Sequence, residues 1–151
     1  MTFQQAVVQT ADLGASTFRY GLQALGNDSN KVHLANTRSL VGSVALDNAL
    51  RATYPNAPRW DYGVGIKKSA RDSAVWIELH PASTSDVATF LNKLDWLRNW
   101  LKNRAPKLHE LTASQSFHWV ATGGVHIRQG SRQARQLHMA GLSLPRRQIV
   151  L

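Results

Sequence analysis

The sequence predicts one α/β domain with a mixed sheet flanked by helices, a prediction that rests on three observations. Hydrophobic residues make up 43% of the 151 residues and include five Trp, enough apolar surface to offset the entropy of ordering a domain-sized chain. Trp60 to Ile66 alternates strictly and Ala74 to His80 reads as a second strand across the polar stretch Lys67 to Ser73, together a β-hairpin pattern. A long helical stripe follows the hairpin, and another alternating run follows the stripe. The resulting order is a helix–β-hairpin–helix–strand core, αβββαβ-like, with a C-terminal helix and strand.

Residues 1–30 read as a peripheral segment and residues 31–151 as the α/β domain. Phe18, Leu22 and Leu25 recur at helical spacing between Ser16 and Leu25, and Gly26-Asn27-Asp28-Ser29-Asn30 breaks that pattern as a turn cluster. Lys31 to Ala35 alternates as a short strand. Thr37 is placed to cap a helix reaching Tyr54, with Leu40, Val41, Val44, Ala45 and Ala49 as its apolar stripe and Pro55 and Pro58 as its stop.

The later elements have clearer boundary signals. Pro81 ends the second hairpin strand, and Ser83-Thr84-Ser85-Asp86 resembles a capping box for a helix from Thr84 to about Asn103. Val87, Phe90, Leu91, Leu94, Leu97 and Leu101 line one side of that helix. Phe117 to Thr122 reads as a strand closed by Gly123-Gly124, with Val125-His126-Ile127 beyond the turn. Ser131 caps a short helix to Ala140, Gly141 stands at C′, and Arg147 to Leu151 is an edge strand.

The hairpin also carries the candidate chemistry. Side chains alternate across a strand, so Trp60, Tyr62, Val64, Ile66, Val75, Ile77 and Leu79 face one core while Asp61, Trp76, Glu78 and His80 emerge on the other side. The expected register pairs Tyr62 with Leu79 and Asp61 with His80, with Gly63 and Gly65 leaving space beside the acids. Asp61 and Glu78 form a candidate Mg²⁺ or Mn²⁺ pair, since hard carboxylate oxygens suit those ions and the ions can activate water for phosphodiester cleavage. The competing reading is a plain solvated face.

The chain carries a net charge of +9, and from Leu111 to Leu151 it contains no Asp or Glu. Arg128, Arg132, Arg135, Arg146 and Arg147 all lie there. A one-signed field attracts polyanions, so DNA or RNA is the expected partner, with Lys67 and Lys68 at the hairpin tip as further phosphate contacts. Arg at the start of the last helix opposes the helix dipole, which suits an anionic partner; a merely solvated face is the equal alternative.

Several classes are set aside. Without cysteine there is no disulfide, catalytic thiol or thiolate zinc site, a composition that fits a reducing compartment. Gly63-Val64-Gly65-Ile66-Lys67-Lys68-Ser69 lacks the adjacent Gly-Lys-Ser of a phosphate loop. The six histidines never recur at helical ligand spacing, although His118 and His126 are expected to be neighbours across the glycine turn. Trp96 and Trp100 sit one helical turn apart, suited to packing or to base stacking. No membrane span or signal segment is evident, and the expected location is cytoplasmic.

Asp on one hairpin strand and Glu-x-basic on the next, set between helices, resembles the core of the PD-(D/E)XK nucleases, the restriction-endonuclease-like fold. The likeness covers roughly residues 37–122. It implies Asp61 and Glu78 as metal ligands and places His80 where that family has the Lys that serves the attacking water. This chain has Trp60 where Pro is usual and Asp47 in the first helix where many members have Glu. The Trp-Asp-Tyr and Glu-Leu-His-Pro-Ala signatures also resemble an uncharacterised bacterial protein family, which implies no activity. The functional expectation is a nuclease-like, nucleic-acid-contacting domain, a Mg²⁺- or Mn²⁺-dependent phosphodiesterase or its inactive relative. The alternative is a non-enzymatic protein-interaction or regulatory module, with a homo-oligomer or protein partner.

Overall fold

A computed structural model describes all 151 residues. Its centre is a mixed five-stranded sheet in the order β1 (Phe18–Tyr20), β3 (Leu40–Ala45), β4 (Tyr62–Ile66), β5 (Ser73–Ser83), β6 (Phe117–His126). The first four strands run antiparallel to their neighbours, while β5 and β6 are parallel. Parallel neighbours need a crossover, supplied by α3 (Val87–Arg104) and the short α4 (Pro106–Glu110). A separate parallel pair joins β2 (Val32–His33) to β7 (Ile149–Val150).

Helices α1 (Phe3–Gln9), α2 (Leu46–Leu50) and α5 (Arg132–Met139) complete the chain. No helix is long and apolar enough to cross a membrane.

Helix α3 forms where its periodicity placed it. Val87, Phe90, Leu94, Leu97, Trp100 and Leu101 are buried at three- and four-residue steps, and Ser83 and Asp86 form the expected reciprocal capping box. Its buried face meets Trp60, Trp76, Phe117 and Trp119 from the sheet in a core cluster of 27 residues. The opposite sheet face packs Val64, Ile66, Val75, Ile77 and Val120 against Leu25, Val32 and Ile149. The C-terminal helix matches its expectation closely, with Ser131 as N-cap and Gly141 at φ +83° just beyond Ala140.

Several expectations need correction, the smallest being that β5 runs past Pro81 to Ser83. Residues 37–54 do not make one helix: Leu40–Ala45 is a strand and only Leu46–Leu50 is helical. The spacing of Leu40, Val41 and Val44 suits either period, and Gly42 decides the outcome. A Cβ there would lie 2.4 Å from the Phe18 ring, so the strand needs its glycine to seat β1 against it. Residues 16–25 likewise form strand β1 and 3-10 turns rather than an amphipathic helix.

The N-terminal segment is not peripheral. Phe3, Ala6 and Val7 have no exposed surface and join the main core, and the Phe3 amide donates to the buried Asp72 carboxylate at 2.7 Å. Asp12 accepts from Tyr54 Oη at 2.6 Å, Trp100 Nε1 at 3.0 Å and Arg104 Nη2 at 2.9 Å. The Arg104 bond, with the Tyr54 and Trp100 bonds opposing burial, holds the Asp12 carboxyl down at about 2. Trp96 stacks on Trp100 and packs edge-on to Tyr54, so these indoles tie the N-terminal segment to α3 instead of facing a nucleic acid.

The remaining corrections concern strand register and length. β4 and β5 pair Tyr62 with Ile77, Gly63 with Trp76 and Val64 with Val75, two residues from the expected register. An even shift keeps the paired strand residues on their expected faces, so the apolar pattern could not tell the two registers apart, but Trp60, just ahead of β4, joins the α3-side core instead of the face of Tyr62, Val64 and Ile66. Strand β6 continues through Gly123 and Gly124, where its pairing with β5 slips from His80–Ala121 to Ala82–Val125, and His118 and His126 lie near its opposite ends. The hairpin glycines do not leave open space, because Trp76 lies over Gly63 and Phe3 over Gly65. A Cβ on Gly63 would stand 2.5 Å from the Trp76 ring. Gly63→Ala is therefore expected to lower stability by about 1–3 kcal/mol through overpacking, measured as a shift of the urea midpoint at constant slope.

Candidate functional site

The two-residue shift sets Asp61 beside Glu78, where β4 begins. The Asp61 amide donates to Glu78 Oε1 at 3.0 Å, and the Leu79 amide donates to Asp61 Oδ2 at 2.9 Å. Each carboxylate is thus aimed by the backbone of the opposite strand. Residues 61 and 78 are therefore held as a unit, whereas the expected register set His80 opposite Asp61 and left Glu78 on an open face.

Lys93 on α3 completes the cluster: its Nζ forms an ion pair with Glu78 Oε2. It is also the residue that the sequence reading missed. The buried Trp60 explains its placement. The Trp60 Nε1–H donates to the Lys93 carbonyl at 2.9 Å, and the ring packs against Phe90 and Phe117. The residue before Asp61 and the lysine above Glu78 are therefore joined directly. One signal was available in the sequence: Lys93 follows Phe90 by three residues and precedes Leu97 by four, at the border of the buried stripe, where a long cationic side chain can reach inward.

The electrostatics follow from burial. Only 1% of Glu78 is exposed. Burial raises the Glu78 carboxyl well above the usual carboxylate range, the neighbouring Asp61 charge adds to the shift, and Lys93 opposes it. Burial also raises Asp61, against the Leu79 N–H bond that favours its ionised form. Asp47, at the start of α2, lies close by, since its amide and that of Leu46 both donate to the Asp61 carbonyl. Its own carboxylate is held by Arg51 and Arg59, whose bonds outweigh burial and keep it below the usual range.

His80 lies on the same strand face as Glu78 but does not join the pair. Its Nδ1 is 2.8 Å from the Pro81 carbonyl and 3.9 Å from Asp86 Oδ1, and its ring meets Trp119 edge-on. Pro81 and the capping Asp86 thus draw the imidazole towards the start of α3. No group of three or more His, Asp or Glu side chains gathers at one point.

Of the expected nucleic-acid contacts, Lys67 and Lys68 are exposed just beyond β4, and Arg128, Arg132, Arg135, Arg146 and Arg147 are all exposed. None of these seven makes an ion pair; the salt bridges lie elsewhere. Arg146 also lies near His118, where burial and that charge lower the imidazole from its ordinary value. The chain matches no family model, and comparison with curated proteins and with solved structures returns no significant similarity.

The raised Glu78 carboxyl makes stability depend on pH. An unfolded glutamate releases its proton near 4.5, whereas the folded one retains it to about 8, so the contact with Lys93 gains its full ion-pair character only as pH rises through that range. The folded state therefore holds more protons across that interval, and stability falls as pH rises through it. Glu78→Gln, which keeps the acceptor for the Asp61 amide, is expected to flatten this fall in urea titrations between those limits.

Proposed function

We propose that this chain is a nuclease-like, nucleic-acid-contacting domain whose Asp61, Glu78 and Lys93 form a metal-dependent phosphodiesterase site. The observation that carries this reading is the cross-strand pair of backbone-aimed carboxylates with a lysine seated on one of them. The αβββαβ-like order of elements adds support. His80, which the resemblance implied as the basic partner, gives way to Lys93, because only Lys93 reaches the carboxylates.

Asp61 and Glu78 are hard-oxygen donors of the kind Mg²⁺ or Mn²⁺ takes, and an ion would have to share Glu78 with the Asp61 amide and Lys93, which already engage both of its oxygens. Such ions take hard oxygens, commonly one or two carboxylates with water completing the shell. Asp61 and Glu78 would hold the ion, and it would supply a more acidic water and charge neutralisation at phosphorus. The protein's own contribution is orientation and field. The Leu79 amide fixes Asp61, the Asp61 amide fixes Glu78, and the Lys93 ammonium is a fixed cation that favours the extra negative charge of the transition state. The exposed arginines would hold backbone phosphates without reading sequence.

A second reading is favoured by the near-complete burial of Glu78 and its pairing with Lys93. Under it the cluster is a buried ion pair that specifies the hairpin–α3 packing, and the chain is a non-enzymatic interaction or regulatory module. The free edge strand β1, with Tyr20 66% exposed, would then be the first place to seek a protein partner.

Metal binding separates these readings. Because the ion must displace the proton retained by Glu78, Mn²⁺ affinity should rise with pH up to about 8, with proton release visible as buffer-dependent calorimetric heats. Isosteric Asp61→Asn and Glu78→Gln should remove binding and cleavage. Isosteric exchanges are used because truncating the buried Glu78 would also leave a cavity. Lys93→Gln should slow cleavage by about 10²-fold or more, and His80→Lys should change little. Absence of Mn²⁺ binding at pH 8 would remove the catalytic reading and leave the module.

Nucleic-acid contact is tested separately. Replacing Arg128, Arg132 and Arg135 with Ala should weaken binding to every DNA or RNA sequence. It should also flatten the salt dependence by roughly 0.7–0.9 of a log–log unit per lost phosphate contact. No binding at low salt would end this part of the proposal.

A further inference from the structure

The small β2–β7 sheet builds a polar groove around Arg147, one of the exposed arginines, and brings to it donors from two other segments. Val32 pairs with Ile149 and His33 with Val150, and the Leu151 amide donates to the His33 carbonyl at 2.7 Å. Continuing that parallel register by one residue sets Lys31 beside Gln148. Arg146, two residues before Gln148, is held as firmly, because the Ala121 amide donates to the Arg146 carbonyl at 2.8 Å and Val120 bridges to Arg146. Three segments distant in sequence are thereby fixed around a groove of about 620 Å³, lined by Asn30, Lys31, Ala121, Thr122, Arg147 and Gln148.

The side chains of this groove are donors. Gln148 Oε1 is 3.1 Å from His33 Nε2, and a carbonyl oxygen can only accept, so the Gln148 amide NH₂ is left for the groove. Asn30, Thr122 and Arg147 make no side-chain hydrogen bond within the protein, and no carboxylate lines the groove. The one acid nearby is already engaged, since Asp28 pairs with Lys31 at 3.6 Å and accepts from Tyr62 Oη at 2.7 Å. A guanidinium, an ammonium, two amides and a hydroxyl on a hydrogen-bonded scaffold match the several acceptor oxygens of a phosphate group.

We propose that this groove is a phosphate-binding site, with Arg147 as its principal cation and Lys31, Gln148, Asn30 and Thr122 as further donors. The phosphate belongs either to a nucleic-acid strand or to a free phosphate ester. The strand version shares its partner with the proposed function but is independent of the Asp61–Glu78–Lys93 chemistry.

The probes are inorganic pyrophosphate, followed through the side-chain amide NMR signals of Gln148 and Asn30, and a short labelled single-stranded DNA, followed by anisotropy. Arg147→Gln is compared with Lys102→Gln, which removes one exposed charge from the far part of α3. Pyrophosphate is expected to shift the Gln148 and Asn30 signals, and Arg147→Gln should abolish the shift while Lys102→Gln preserves it. Arg147→Gln should also weaken DNA binding about tenfold and lower the salt slope by about one. Pyrophosphate shifts without DNA binding would assign the groove to a free phosphate ester and end the nucleic-acid reading. DNA binding that responds equally to both substitutions, with no pyrophosphate shift, would overturn the groove and leave the nucleic-acid reading standing.

Discussion

A carboxylate removed from water has to be compensated, and the buried Glu78 imposes that requirement on everything around it. The Asp61 amide satisfies one oxygen, which requires β4 to begin opposite residue 78. Lys93 satisfies the other, which requires α3 to cross the sheet with that residue facing inward. Trp60 then holds the Lys93 carbonyl while filling the core between Phe90 and Phe117. Moving any one of these elements would strand a charge in an apolar interior, so hairpin register and helix position are coupled through a single residue.

Aromatic residues over glycines provide the matching apolar constraint. Trp76 can lie over Gly63, and Phe3 over Gly65, only because those positions lack a Cβ. The same exchange seats Phe18 over Gly42 and brings β1 into the sheet. Phe3 and Phe18 both come from the first 20 residues, so the N-terminal segment is a structural part of the core, which the Asp12 hub ties to α3 a second time.

Charge is divided between two settings with different physics. At the Asp61–Glu78–Lys93 cluster the groups are few, close and desolvated, so protonation and pairing dominate. On the C-terminal third the arginines are exposed and without internal partners, so their effect is a screened, long-ranged field that responds to salt. The β2–β7 groove lies between these extremes, because its donors are solvent-accessible yet attached to hydrogen-bonded strands.

Elements with a strong local signal were legible from sequence. The apolar stripe and capping box of α3, the Ser131 cap, Gly141 and the two faces of the hairpin each depend on residues within a few positions of one another. So did the choice of Asp61 and Glu78, which face the same side whichever even register is adopted. Tertiary structure decided the rest. Residues 40–45 suit helix and strand alike until Phe18 arrives over Gly42, and the register is ambiguous by two until Trp76 settles on Gly63. Lys93 rather than His80 meets the acids because a helix folded across the sheet brings it there, whereas Pro81 and Asp86 hold the imidazole aside. Periodicity specifies which face a side chain takes; only packing between distant segments specifies what it meets.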